Sequence, residues 1–143
     1  MCKRGFTLIE LLLVIVLLSI VGIIVFPIGA RFYQVQVVAD TVSELVDTLR
    51  TAQNFSITQK HDSSHGVKVV DNSLVLFQGL SYDTRATQED VTVAFPAIVS
   101  LSGLDEVVFT QESGIPDAAH VIDITVQDHS EQITITTAGT IEP

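Results

Sequence analysis

Cysteine is almost missing from this 143-residue chain, and the one present, Cys2, stands among the first five residues. A single thiol closes no intrachain disulfide, which removes a common stabiliser of small exported domains. Basic residues are scarce too: seven Lys and Arg face seventeen Asp and Glu, for a formal charge of −10. Beyond Arg31 only Arg50, Lys60, Lys68 and Arg85 remain, and they are scattered. Nucleic acid is held by clustered cations that displace counterions from phosphates, so this distribution argues against direct DNA or RNA binding. An acidic surface favours solubility instead. There is no glycine-rich phosphate loop, no Walker-type lysine and no dinucleotide fingerprint. No internal repeat or low-complexity tract occurs.

What the chain has in abundance is one apolar run. A basic stub, Met1-Cys2-Lys3-Arg4-Gly5, meets Phe6-Thr7-Leu8-Ile9-Glu10, and apolar sequence then continues to Ile28. Residues 11–28 include fifteen Leu, Ile, Val or Phe. Each favours bilayer insertion by about 0.3–0.6 kcal/mol at a helix centre. A carboxylate inside a span costs about 3 kcal/mol on the mildest scale, so the run can carry Glu10 with it. Lys3 and Arg4 precede the run and Glu10 is its only charge before Arg31, which orients the N-terminus toward the cytoplasm. About 20 residues at 1.5 Å each cross about 30 Å of hydrocarbon. An ionisable group so placed reads as functional by default.

Lys3-Arg4-Gly5-Phe6-Thr7-Leu8-Ile9-Glu10-Leu11-Leu12 resembles the class III signal of type IV pilins and pseudopilins. The resemblance covers about the first thirty residues. It implies that a prepilin peptidase cuts after Gly5 and that the new terminal amine, on Phe6, is methylated. It also implies that Glu10 helps dock each subunit into a growing filament. Cleavage would remove Cys2, Lys3 and Arg4, taking the formal charge from −10 to −12. The Phe6 amine and the Glu10 carboxylate would then lie about one helical turn apart. A neighbouring subunit could offer its amine to this carboxylate, relieving the cost of burying either charge alone. Pro27 removes a backbone donor inside the run, so a kink is expected there. Two plainer readings compete. A secretory signal peptide cut near Ala30 puts the bulky Ile28 where a small residue is wanted. A simple signal anchor for a periplasmic binding domain leaves the Gly-Phe-Thr-Leu-Ile-Glu order unexplained.

Past the run the period stays helical. Val35, Val38, Val42, Leu45, Leu49 and Ala52 step by three and four, while Asp40, Glu44, Asp47 and Arg50 fall mostly off that stripe. One helix from about Phe6 to about Lys60, about 80 Å long, is expected. From His61 the period becomes two. Residues 67–70 and 74–77 flank Asp71-Asn72-Ser73 as a hairpin, residues 79–90 read as a loop, and 91–95 alternate up to Pro96. Short strands are expected at 98–101 and 107–110, then a turn at 113–117. A closing hairpin pairs 121–126 with 132–137 across the loop 127–131. Six or seven strands behind one helix predict an α+β fold, with a small antiparallel sheet or two-sheet head on the helix. The layout is similar to the H-type minor pseudopilins of type II secretion and related minor pilins, although their frequent disulfide is ruled out here.

The remaining polar clusters point to no catalyst. His61, Asp62, Ser63, Ser64 and His65 hold the atoms of a triad, but triads are assembled across a fold and these are consecutive in a turn. His120, Asp123, Asp128 and His129 read as strand and turn polarity. Calcium, through Asp105, Glu106, Asp117 and Asp128, is the better metal candidate because oxygen donors abound, yet no ligand spacing is recognisable. No cofactor and no enzymatic activity is expected. The expected organisation is a leader at 1–5, a membrane or filament-core half-helix at 6–30, an amphipathic half-helix at 31–60 and a β-rich head at 61–143. The expected role is a structural filament subunit, anchored in the inner membrane with its head in the periplasm or outside the cell. Its expected partners are other pilin-like subunits, the prepilin peptidase, the inner-membrane assembly platform and membrane lipid. A pilin-like DNA-uptake component is the alternative within the same family.

Overall fold

The structure, a computed structural model, describes residues 6–143, with the backbone alone over 24–30. One α-helix, α1, covers Leu8–Ile57. Thr7 opens it, its hydroxyl oxygen accepting from the Glu10 amide at 3.3 Å. The helix ends where Gln59 turns left-handed at φ 53°, the conformation that lets the last carbonyls find donors. A single 3₁₀ turn, Lys60–Asp62, follows. The expected helix end at Lys60 therefore lies three residues late. Pro27 falls in the backbone-only segment, inside the helix. Two compact units divide the chain, one up to Val35 and one from Gln36 to Pro143.

In the second unit, eight strands follow the helix: β1 His65–Val70, β2 Ser73–Gln78, β3 Val91–Ala94, β4 Ser100–Ser102, β5 Glu106–Phe109, β6 His120–Val126, β7 His129–Ile135 and β8 Ile141–Glu142. They form two four-stranded sheets, ordered β3-β2-β1-β5 and β4-β6-β7-β8. Every pairing is antiparallel. The first hairpin sets Val70 opposite Ser73, with Asp71 left-handed at φ 52°. Asn72 locks that turn by donating through Nδ2 to the carbonyls of Phe95, at 2.6 Å, and Pro96, at 3.0 Å.

One core serves both sheets and the C-terminal part of α1. Val38, Leu45, Leu49 and Ala52 of the helix meet Val67, Leu74, Val107 and Phe109 of one sheet and Ile122, Ile124, Ile133 and Ile135 of the other. Two of the residues expected on the helical stripe deviate. Val35 is exposed and Val42 half-buried, while Val37, Thr41, Val46 and Thr48 are buried beyond it. The buried hydroxyls are satisfied within the helix: Thr41 Oγ1 donates to the Val37 carbonyl and Thr48 Oγ1 to that of Glu44, each at 2.8 Å.

Several strand boundaries differ from expectation, each for a local reason. A turn from Pro96 to Val99, closed by the Val99 amide on the Pro96 carbonyl at 2.9 Å, delays β4 to Ser100. The final hairpin is tighter than the loop expected at 127–131. His129 pairs with Val126, and Gln127 at φ 53° turns the chain. His129, Ser130 and Glu131 thus extend β7 by an end that is largely open to solvent, where polar side chains are tolerated. Strand β8 is an addition; pairing with Thr134 and Ile135 buries Ile141. The expected loop at 79–90 contains two 3₁₀ turns, Tyr82–Thr84 and Thr87–Glu89. It is pinned to its sheet by the Tyr82 amide on Glu106 Oε1, at 2.9 Å, and by Arg85 between Asp90 and the Tyr82 ring.

Candidate assembly site at the helix N-terminus

The first unit is an apolar helix that buries almost nothing within the described chain. Phe6 is 82% exposed, Leu8 78%, Ile9 72% and Leu18 66%. Leu11, Leu12, Leu13, Val14, Ile15 and Val16 are exposed as well. Apolar patches far above a few hundred Å² mark surfaces meant for lipid or another protein. The Ser19 hydroxyl, within the apolar run, is internally satisfied, since Ser19 Oγ donates to the Ile15 carbonyl at 2.8 Å. That bond removes the polar group that hydrocarbon or a dry interface would penalise. Among the described residues no helix is long and apolar enough to cross a membrane. The run read from the sequence continues through residues 24–30, whose side chains lie outside the described residues.

At its head, Thr7 is the N-cap and Glu10 the third helical residue, the spacing of a capping box. Thr7 also accepts the Leu11 amide on its carbonyl at 3.2 Å. Reading the residues for membrane cost and filament docking overlooked this local role. The signal was present in the order Thr-x-x-Glu before an apolar run. Glu10 also places a negative charge at the positive end of the helix dipole. Phe6 precedes the cap and is free of packing. Gly5, the expected cleavage residue, lies outside the described residues.

The other clusters are dispersed by the fold. His61 is exposed, its Nδ1 3.2 Å from Gln78 Oε1 and 3.7 Å from Glu89. Asp62 Oδ1 accepts from Gln111 Nε2 at 2.7 Å, and Ser64 Oγ from the Gln111 amide at 3.2 Å. His65 is buried with its ring edge-on to Phe55. These residues therefore fasten the helix–strand junction to the Gln111 turn. Asp105 and Glu106 hold Lys68 at 3.8 and 3.7 Å, while Asp117 faces His120 at 3.2 Å. Asp123 Oδ1 accepts from Gln132 Nε2 at 2.9 Å, and Asp128 sits in the β6–β7 turn beside His129. Among the described residues no group of three or more His, Cys, Asp or Glu is arranged to hold a metal.

Comparison with known proteins finds one motif and one fold likeness. The family model of the prokaryotic N-terminal methylation motif matches residues 1–26. The N-terminal segment of the chain thus carries a prokaryotic N-terminal methylation motif. Beyond the motif, the chain shares its fold with a structure of the minor pseudopilin EpsH from the type 2 secretion system of Vibrio cholerae. Identity is 13%, with 73% of this chain and 94% of that chain covered at a TM-score of 0.56. A second crystal structure of the same Vibrio cholerae pseudopilin aligns at 12% identity, covering 75% and 92%, with the same TM-score. No curated protein matches the chain.

Proposed function

We propose that this pilin-like chain is a minor structural subunit of a type II secretion pseudopilus or type IV pilus. The observation that carries the reading is the methylation motif at residues 1–26 opening into an exposed apolar helix that runs on to Ile57. In this reading residues 1–5 are the leader, and the peptidase cuts after Gly5 on the cytoplasmic side. Residues 6–30 then hold the subunit in the inner membrane until assembly, with the head beyond the membrane. Residues 31–60 carry the helix into that head, and Pro27 softens the helix between the two. On extraction from lipid, the apolar face that the bilayer covered packs against neighbouring helices. Glu10 pairs with the methylated Phe6 amine of the next subunit. Identical head-to-tail contacts that do not close generate a filament, and one such pair per subunit suits that symmetry. The head is structural, carrying no enzymatic step and no cofactor.

The direct test is the intact mass and N-terminal sequence of the protein extracted from membranes, with and without a prepilin peptidase. A product starting at N-methylated Phe6 only when the peptidase is present is expected. A retained Met1 in both strains, or a cut near Ala30, would discard the filament reading.

A further inference from the structure

Beside the amphipathic part of α1 lies an open groove of about 510 Å³. Its floor is Leu76, Val91 and Val93; its wall is Asp40, Glu44 and Asp47 of the helix. Val91 is 53% exposed there. The floor ends at β3, an edge strand with no further neighbour.

The four sheet edges are not alike. Strands β4 and β8 are only three and two residues long. On β5, Glu106 is engaged by Lys68, and Phe109 is bridged by Pro116. Such shortness, charge and cover are the usual means of stopping unwanted strand addition. Strand β3, four residues long, has neither charge nor cover: Val91-Thr92-Val93-Ala94 is uncharged, free of proline and largely exposed. It is the unprotected edge of this head.

The wall specifies the charge of what fits. Asp40 accepts a hydrogen bond from Gln36 at 3.0 Å, whereas Glu44 and Asp47 enter no ion pair among the described residues. A second copy of this chain is a poor occupant. The second unit is acidic; Lys68 and Arg85 are committed to Asp105, Glu106 and Asp90, Lys60 lies over the Phe55 ring at 3.8 Å, and Arg50 is held within a helix rather than on an extended segment. The geometry points to a basic, extended segment of a different protein that adds as a strand to β3. Alternate side chains of an added strand point the same way, so cations at every second residue face the helix wall while the backbone pairs with β3. This surface lies wholly in the second unit, Gln36–Pro143, and stands apart from the filament reading.

The test uses the full-length protein in zwitterionic micelles and a heptapeptide of alternating lysine and threonine, followed by calorimetry against empty micelles. Saturable binding that weakens as salt rises is expected. The double substitution Glu44→Lys with Asp47→Lys, at exposed positions, is expected to weaken binding at least tenfold while leaving the thermal unfolding of the head unchanged. Methylating every backbone amide of the peptide is expected to cost as much, because the strand ladder is then lost. Absence of binding overturns the proposal. So does equal affinity for a glutamate–threonine heptapeptide, or indifference to either change. A dimer in sedimentation that the double substitution dissolves would assign the groove to a second copy instead.

Discussion

Gln53 Nε2 donates to the Gly139 carbonyl at 2.8 Å, across 86 residues of sequence. The same nitrogen donates to the Gly114 carbonyl at 3.0 Å. One helical amide thus ties the 113–117 turn and the C-terminal turn to α1. Gln53→Ala leaves both carbonyls short of a donor in a half-buried place, at an expected cost of about 1–3 kcal/mol. Gln53→Glu is expected to be worse, since a carboxylate would face two carbonyl oxygens. Urea midpoints of the detergent-solubilised chain measure both, and a midpoint within error of wild type for each would show the tie to be idle.

Gly66 in β1 has an ordinary extended conformation, so its requirement is purely spatial. A Cβ there would stand 2.5 Å from Phe77 Cζ and 2.7 Å from the Val107 carbonyl. Phe77 is buried under Tyr82 and Val107 belongs to the neighbouring strand, so neither yields freely. Gly66→Ala is expected to destabilise by about 1–3 kcal/mol, the usual cost of overpacking. Thermal unfolding with an unshifted midpoint would mean that the sheet opens at this point without penalty.

His65 makes the head acid-sensitive. Its backbone amide donates to Ser56 Oγ at 2.9 Å, and its ring packs on Phe55. Burial, with the Lys60 charge as a smaller contribution, holds its pKa below the ordinary 6.5. The unfolded chain therefore takes up a proton at this site before the folded chain does. The resulting stability is complete above about pH 6.5 and declines as pH falls toward the lowered folded value. Urea midpoints between pH 5 and 8 are expected to fall on the acid side for wild type, and to fall less for His65→Phe. Parallel curves for the two proteins would remove His65 as the cause.

Glu10 combines the third position of a capping-box spacing with a charge, and two substitutions separate them. Glutamine serves a capping box as well as glutamate does, but carries no charge. If the carboxylate pairs with a neighbour's amine, Glu10→Gln and Glu10→Ala are both expected to block incorporation into filaments. If the capping box is what assembly needs, Glu10→Gln incorporates normally and only Glu10→Ala fails. Quantifying sheared filaments by immunoblot against the membrane pool distinguishes the two.

Much of this architecture could be read along the chain. The change from a step of three and four to a step of two marked the passage from helix to sheet, because side chains repeat at 3.6 residues in one and 2.0 in the other. The hairpin at Asp71-Asn72-Ser73 was legible from turn chemistry. The closing hairpin was less so: Gln127–Glu131 is polar throughout, and polarity alone does not separate a loop from the exposed face of a strand. Strand β8 was hidden for a similar reason, since two residues carry no period. At the candidate assembly site, Gly5, Phe6 and Glu10 stood out through their order. Thr7 did not, because a capping hydroxyl matters only once the helix start is known.

Order and spacing alone were enough for the N-terminal motif, the continuous helix and the α+β class, since each depends on residues close in sequence. Partnerships between distant residues needed the folded chain. Gln53 with Gly114 and Gly139, the burial of His65 against Phe55, and the bare edge at Val91–Ala94 beside an acidic helix wall all join segments tens of residues apart. Nothing in a local window encodes such neighbours, because they are set by how two sheets and one helix share a single core.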